Sequence, residues 1–181
     1  GNAVSATVSP ETRAEVRHKV SRFVRGRWLN PPFSGARFSA MLFEALVKMA
    51  DEGDGLPLLP PGYLIDLTVT ATDFRGHPQA LRLNSPAQVE EMEHRLPINF
   101  RARVGSHPAQ ALADPLELVL AARATASFPG AFPPLTLTEI DNLAISEGHH
   151  WATRGSFLAR IMPVHVANGT IDTVALIDGA V

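Results

Sequence analysis

The run Thr173–Ile177, TVALI, is continuously apolar after its first residue and leads directly into Asp178 and Gly179. An apolar run of strand length with no polar alternation suits a sheet buried on both faces. It predicts an inner strand, and with it an α/β architecture. Ligands of open α/β sheets bind outside the carboxyl ends of the strands. Asp178 would then stand at such an end, with Gly179 letting the backbone turn sharply and present the carboxylate. An Asp-Gly pair is also ordinary surface-turn composition, and on local sequence alone that plainer reading is the stronger.

Upstream, strand and helix signals alternate. Ser9-Pro10-Glu11 opens a helix in which Val16, Val20, Phe23, Val24 and Trp28 recur at helical spacing. Its other face carries Arg13, Arg17, Lys19, Arg22, Arg25 and Arg27. The helix reads as a solvated surface helix, and its basic face also suits an anionic membrane surface. The paired prolines Pro31 and Pro32 stop it. Residues 1–33 therefore read as one unit, an amphipathic helix with a Pro-rich break, either an insertion or a lid; Gly1–Ala3 reads as a vector-derived remnant. Phe38, Met41, Leu42, Ala45, Leu46 and Met49 predict a second helix with a core-facing stripe.

From Tyr63 the period shortens. YLIDLTVTATDF is rich in β-branched residues and predicts a strand, with Asp73 ending it as a turn cap without chemical role. RGHP is expected to turn the chain and residues 79–83 to form the return strand of a hairpin; INFRARV is a further strand. Asp114, Pro115 and Glu117 announce a helix over DPLELVLAARAT by cap, first-turn proline and third-position acid. FPGAFPP is a stiff loop, LTLTEI a short strand, and residues 141–170 carry no clear pattern.

The bulk numbers narrow the function classes. With 181 residues the chain is long enough for one domain with a real core. Sixteen basic against 18 acidic residues give a formal charge of −2, which offers no argument for nucleic acid. The absence of cysteine excludes disulfides, thiolate metal sites and cysteine nucleophiles. No stretch approaches the ~20 apolar residues that span a bilayer. The expected location is soluble, cytoplasmic or peripheral to a membrane. His149 and His150 are adjacent, so their side chains diverge, and no HExxH is present; no metal and no cofactor is expected. No GxGxxG or GxxxxGK[ST] is present, and no glycine is followed two residues later by serine, so the GxSxG elbow of serine hydrolases is missing from the 181 residues.

Two stretches read together shift the weight onto Asp178. LELVLAARATASFPGAFPPLTL, Leu116–Leu137, and the terminal ALIDGAV resemble the patatin-like lipid acyl hydrolases. That family has a small-residue helix with Ala-Arg-Ala-Ser/Thr, then Pro-Gly-x-Phe-Pro-Pro, then a strand ending in Asp-Gly-Gly or Asp-Gly-Ala. LTVTATDFRGH, Leu67–His77, is similar to its earlier Ala-Thr-Asp strand, and GARFSAMLFEAL to the helix before it. The resemblance implies a partial three-layer α/β/α fold over residues 34–181, with a mixed central sheet and flanking helices. It implies a Ser–Asp dyad cleaving lipid or phospholipid esters, of phospholipase A or lipase type, with Asp178 as general base. Phe128, Pro129, Gly130 and Phe132 would line an acyl-chain pocket or pack on the sheet; Arg123 and Gly179 would be structural supports. The serine and the glycine-rich oxyanion loop lie upstream in the family. The chain is therefore expected to be a piece of a longer protein, lacking the N-terminal half of its own domain and inactive alone. The alternatives are a lipid- or partner-binding domain without catalysis, and a membrane-docking module led by helix 10–28.

Overall fold

In the computed structural model, which describes residues 33–51, 59–82, 84–85, 88–104 and 112–180, two long strands form the frame. β1 (Leu64–Arg82) and β2 (Gln88–Arg103) pair antiparallel from Leu64↔Arg103 to Arg82↔Gln88. The helix read at 10–28 and residues 1–3 lie outside the described residues.

RGHP does not turn the chain. β1 continues through it, and the register against β2 shifts between Thr72 and His77. Gly76, at φ +72°, supplies the left-handed residue that such a bulge needs. Turn-forming composition was thus spent on a bulge within one strand, and the true return strand is β2, which contains INFRAR.

The remaining elements follow in chain order. α1 spans Gly35–Asp51, α2 Pro115–Thr125, α3 Leu137–Ser146, α4 Arg154–Ile161 and α5 Pro163–Ala167. β3 is only Leu135–Thr136, because the expected LTLTEI strand becomes helix at Leu137. A 3₁₀ turn, Ile171–Thr173, leads into β4, Ala175–Asp178. The sheet order is β2-β1-β4-β3. Every pairing among these strands is antiparallel, where a mixed sheet was expected. The apolar character of β4 has a different cause from a parallel sheet: it is an inner strand whose successive residues Leu176 and Ile177 are both buried.

Elsewhere the sheet is one-sided. Along β2, Leu96, Ile98 and Phe100 are buried while Arg95, Pro97, Asn99 and Arg101 are exposed. This alternation places the core on one face. Onto it α2 packs against β1 and β4, burying Leu116, Val119, Leu120 and Ala124. Burial of each leucine or valine contributes about 1.5–3 kcal/mol. Phe157 of α4 stacks on Phe100 at 6.1 Å between centroids. α2 begins as its sequence requires: the Asp114 carboxylate accepts the Leu116 N–H at 2.8 Å, with Pro115 in the first turn. Glu117 does not complete a capping box; it is buried and accepts the Thr153 hydroxyl at 2.5 Å.

The buried stripe of α1 also differs from the expected one. Gly35, Ser39 and Phe43 face inward, whereas Met41 and Met49 are exposed. The reason lies beneath them: Ser39 donates to Glu139 at 2.5 Å, and Gly35 sits against the Arg123 guanidinium. A polar contact, invisible to hydrophobic periodicity, sets the rotation of the helix.

Candidate functional site

Asp178 ends β4 directly across from Ala71 of β1. Its N–H donates to the carbonyl of Ser127 at 3.2 Å. Its Oδ1 accepts the N–H of Ala180 at 3.1 Å, an Asx-type turn that fixes the carboxylate's orientation. The side chain is half-buried. The carboxylate is thus anchored to an inner strand on one side and to the start of the Pro-Gly loop on the other.

Gly179 has a role other than the expected sharp turn, since its φ is not in the left-handed region. A Cβ there would lie 2.5 Å from the carbonyl oxygen of Thr70 and 2.6 Å from its carbon. Glycine is required because β1 backbone passes too close for any side chain.

Arg123 supports this corner from within. It is fully buried and divides its donors among three partners. Nη1 reaches the Ser127 hydroxyl at 2.5 Å, Nη2 the Pro133 carbonyl at 2.9 Å, and Nε the Glu139 carboxylate at 3.2 Å. Ser127 in turn donates to the Arg123 carbonyl at 2.7 Å. Burial lowers the guanidinium's affinity for its proton, and the charge of Glu139 opposes that shift. Both ends of the Pro-Gly loop are therefore fastened to one side chain.

The loop residues separate into two roles. Phe132 stacks with Phe38 at 5.1 Å and meets Phe33 at 5.3 Å, with the Arg123 guanidinium 5.3 Å from its ring centre. It is packed against the fold. Phe128, Pro129 and Gly130 stand exposed at the tip, with Gly130 at φ +91°. A polar groove of about 750 Å³ lies elsewhere, lined by Asp66, Arg101, Asp114, Glu117 and Arg160 among others. It contains neither Asp178 nor any residue of the Pro-Gly loop.

A second cluster escaped the sequence reading. Asp73, expected to be a strand-end cap, is 1% exposed. Its Oδ2 lies 2.8 Å from Nε2 of His165 and 3.6 Å from Nδ1 of His77. Oδ1 accepts the Arg75 N–H at 3.1 Å, and the Asp73 carbonyl meets Nδ1 of His94 at 2.7 Å. The available signal was the Asp73/His77 pair, four apart in a strand; His165 arrives from α5, in the stretch without clear pattern. The adjacent pair does not act together, since His149 bonds the helix-cap Asp114 at 3.0 Å and His150 is exposed; of the histidines considered in the sequence only His165 joins the cluster.

No family model matches the chain, and neither does a curated protein or a solved structure. Among the described residues no helix is long and apolar enough to cross a membrane.

Proposed function

We propose that residues 34–181 form the C-terminal part of a patatin-like three-layer α/β/α domain, with Asp178 the general base of a Ser–Asp dyad that hydrolyses lipid or phospholipid acyl esters. One observation carries the reading. The three segments that resemble the family, Leu67–His77, Leu116–Leu137 and the terminal ALIDGAV, are far apart in sequence and converge on Asp178. Ala71 pairs with it and Ser127 holds its N–H.

Serine is a weak nucleophile until a neighbouring base takes its proton. A carboxylate serves as that base only when held within hydrogen-bond reach of the hydroxyl. The rigid strand end, the turn to Ala180 and the bond to Ser127 supply that fixity. In this reading Oδ2 accepts the serine proton while the hydroxyl oxygen attacks the acyl carbonyl. The proton then passes to the leaving alcohol, and water, giving its proton to the same carboxylate, cleaves the acyl-serine to release the acid and restore the hydroxyl. Backbone N–H donors stabilise the oxyanion, each worth about 3 kcal/mol in comparable sites. The serine and those donors belong, in the family, to chain upstream of these motifs, so residues 1–181 alone hydrolyse no ester. Phe128, Pro129 and Gly130 would meet the acyl chain, and Phe132 holds the loop.

The exposed ring of Phe128, 59% accessible, favours one second reading: lipid binding without catalysis. The test is p-nitrophenyl butyrate hydrolysis by a longer protein carrying these residues behind its own GxSxG segment. Asp178→Asn should abolish turnover while leaving the circular dichroism spectrum unchanged. Full activity in that variant would overturn the assignment. Liposome binding without turnover in the parent itself would favour the second reading.

A further inference from the structure

The Asp73 cluster plays no part in the dyad, and its geometry has its own requirement. We propose that Asp73, His77 and His165 bind one divalent transition-metal ion of the zinc class. The inference does not rest on the hydrolase reading.

The ligand atoms are Oδ2 of Asp73, Nδ1 of His77 and Nε2 of His165. All lie within 4.8 Å of one another. Around a tetrahedral zinc ion with bonds near 2.0 Å, ligand atoms stand about 3.3 Å apart. The two distances to Oδ2, 2.8 and 3.6 Å, bracket that value. Small rotations about the side-chain bonds bring the three atoms to one centre.

A hydrogen-bonded Asp–His pair explains only part of the arrangement. It accounts for His165 and leaves His77 without purpose. Nδ1 of His77 is buried and has no hydrogen-bond partner. A buried nitrogen left unpaired is unfavourable, and 3.6 Å is too long for a hydrogen bond to Asp73. A metal ion satisfies that nitrogen, and its charge also balances the buried carboxylate.

The outer contacts match those of a ligand set. Nδ1 of His165 lies 3.0 Å from the Thr170 hydroxyl, an outer contact that holds the ring with Nε2 turned toward Asp73. Oδ1 of Asp73 is held by the Arg75 N–H, so Oδ2 faces the two imidazoles. His94 is outside the set: the ligand atoms that lie within 4.8 Å of one another come from Asp73, His77 and His165. Two imidazole nitrogens with one carboxylate oxygen select zinc-like or ferrous-like ions over calcium or magnesium, which prefer all-oxygen shells.

The backbone is bent to make the site. In a regular strand, residues four apart are about 13 Å distant. The bulge between Thr72 and His77 brings His77 back beside Asp73. A Cβ on Gly76 would sit 2.8 Å from the His94 ring, so the bend is fixed by close packing as well as by φ. The ion would tie this bend to α5 and thereby to the turn that leads into β4.

The test uses the tag-free chain, titrated with Zn²⁺ by calorimetry and with Co²⁺ by visible absorption. One ion per chain is expected, with the intense d–d bands of a four- or five-coordinate cobalt complex. His77→Ala and His165→Gln should each weaken binding by at least about 100-fold, more than loss of an outer contact gives. His150→Ala, an exposed control, should leave it unchanged. His77→Ala removes a ring that makes no hydrogen bond through Nδ1 and otherwise approaches Asp73 at 3.6 Å and meets the His165 ring edge-on; its circular dichroism should match the parent's, which separates loss of binding from unfolding. Wild-type affinity in both site variants, or no binding at millimolar Zn²⁺, would sink the proposal.

Discussion

Ser127 and Asp178 are joined backbone to backbone, the carbonyl of the first accepting the N–H of the second at 3.2 Å. The hydroxyl of the same serine is bonded to Arg123. The position of the terminal carboxylate is therefore linked, two bonds away, to a buried guanidinium in α2. This relationship makes Arg123 the residue whose loss should be felt most widely.

Arg123→Met should destabilise the fold by about 3 kcal/mol, because it leaves the partly buried Glu139 carboxylate without its cation and the Pro133 carbonyl without its donor. Arg123→Lys should recover little of this, since an ammonium cannot reproduce the three-way fork. Urea unfolding of the chain measures both. A lysine variant as stable as the parent would show that the fork is dispensable.

Gly179 and Gly130 should respond differently to alanine. At Gly179 the obstacle is the backbone of Thr70, which cannot move aside without opening the sheet. Gly179→Ala should cost about 1–3 kcal/mol by overpacking and should perturb the amide signals of β1. At Gly130 nothing lies within 4 Å, and only the positive φ opposes a side chain. Gly130→Ala should cost about 1 kcal/mol and leave β1 untouched.

Asp114→Ala removes the cap of α2 together with the partner of His149. The expected loss is about 1–2 kcal/mol. Asp114→Asn should restore most of the cap but not the pairing with His149. In thermal unfolding the difference between the two variants measures the cap, and the deficit of Asp114→Asn against the parent measures the His149 contribution.

The Arg95 guanidinium, with help from the backbone N–H groups of Arg95 and His94, lowers the pKa of Glu93 from 4.5 to about 2. A carboxyl depressed in the folded state contributes stability that is present above its unfolded pKa. That contribution is lost as pH falls from the ordinary carboxylate range through about 2. Carboxyl-detected NMR should place the Glu93 midpoint well below the ordinary carboxylate range. Arg95→Gln should move it back up. A Glu93 midpoint unaffected by that change would refute the pairing in solution.

The elements most legible in the sequence were those whose signals are local. Asp114 and Pro115 announced α2, and the apolar run announced β4, because caps and burial act within a few residues. RGHP misled because glycine and proline mark bulges and turns with the same composition, and only the partner strand distinguishes them. The rotation of α1 was illegible because Ser39 answers to Glu139, 100 residues away. The candidate carboxylate was found through motif resemblance, whereas the Asp73–His165 contact spans 92 residues and no motif joins them. Long-range polar pairs leave no periodic trace.

The hairpin of β1 and β2 changes character at its bulge. Where Val69 and Ala71 face Ile98 and Leu96 it is backed by the core, whereas beyond His77 Gln79, Ala80, Glu90 and Glu91 are exposed. The outer ladder has little but its own hydrogen bonds to keep it closed. Amide protons along one continuous strand should thus keep two clocks, with quick exchange near the tip and slow exchange near the root. The bend at Gly76 is where fraying should halt.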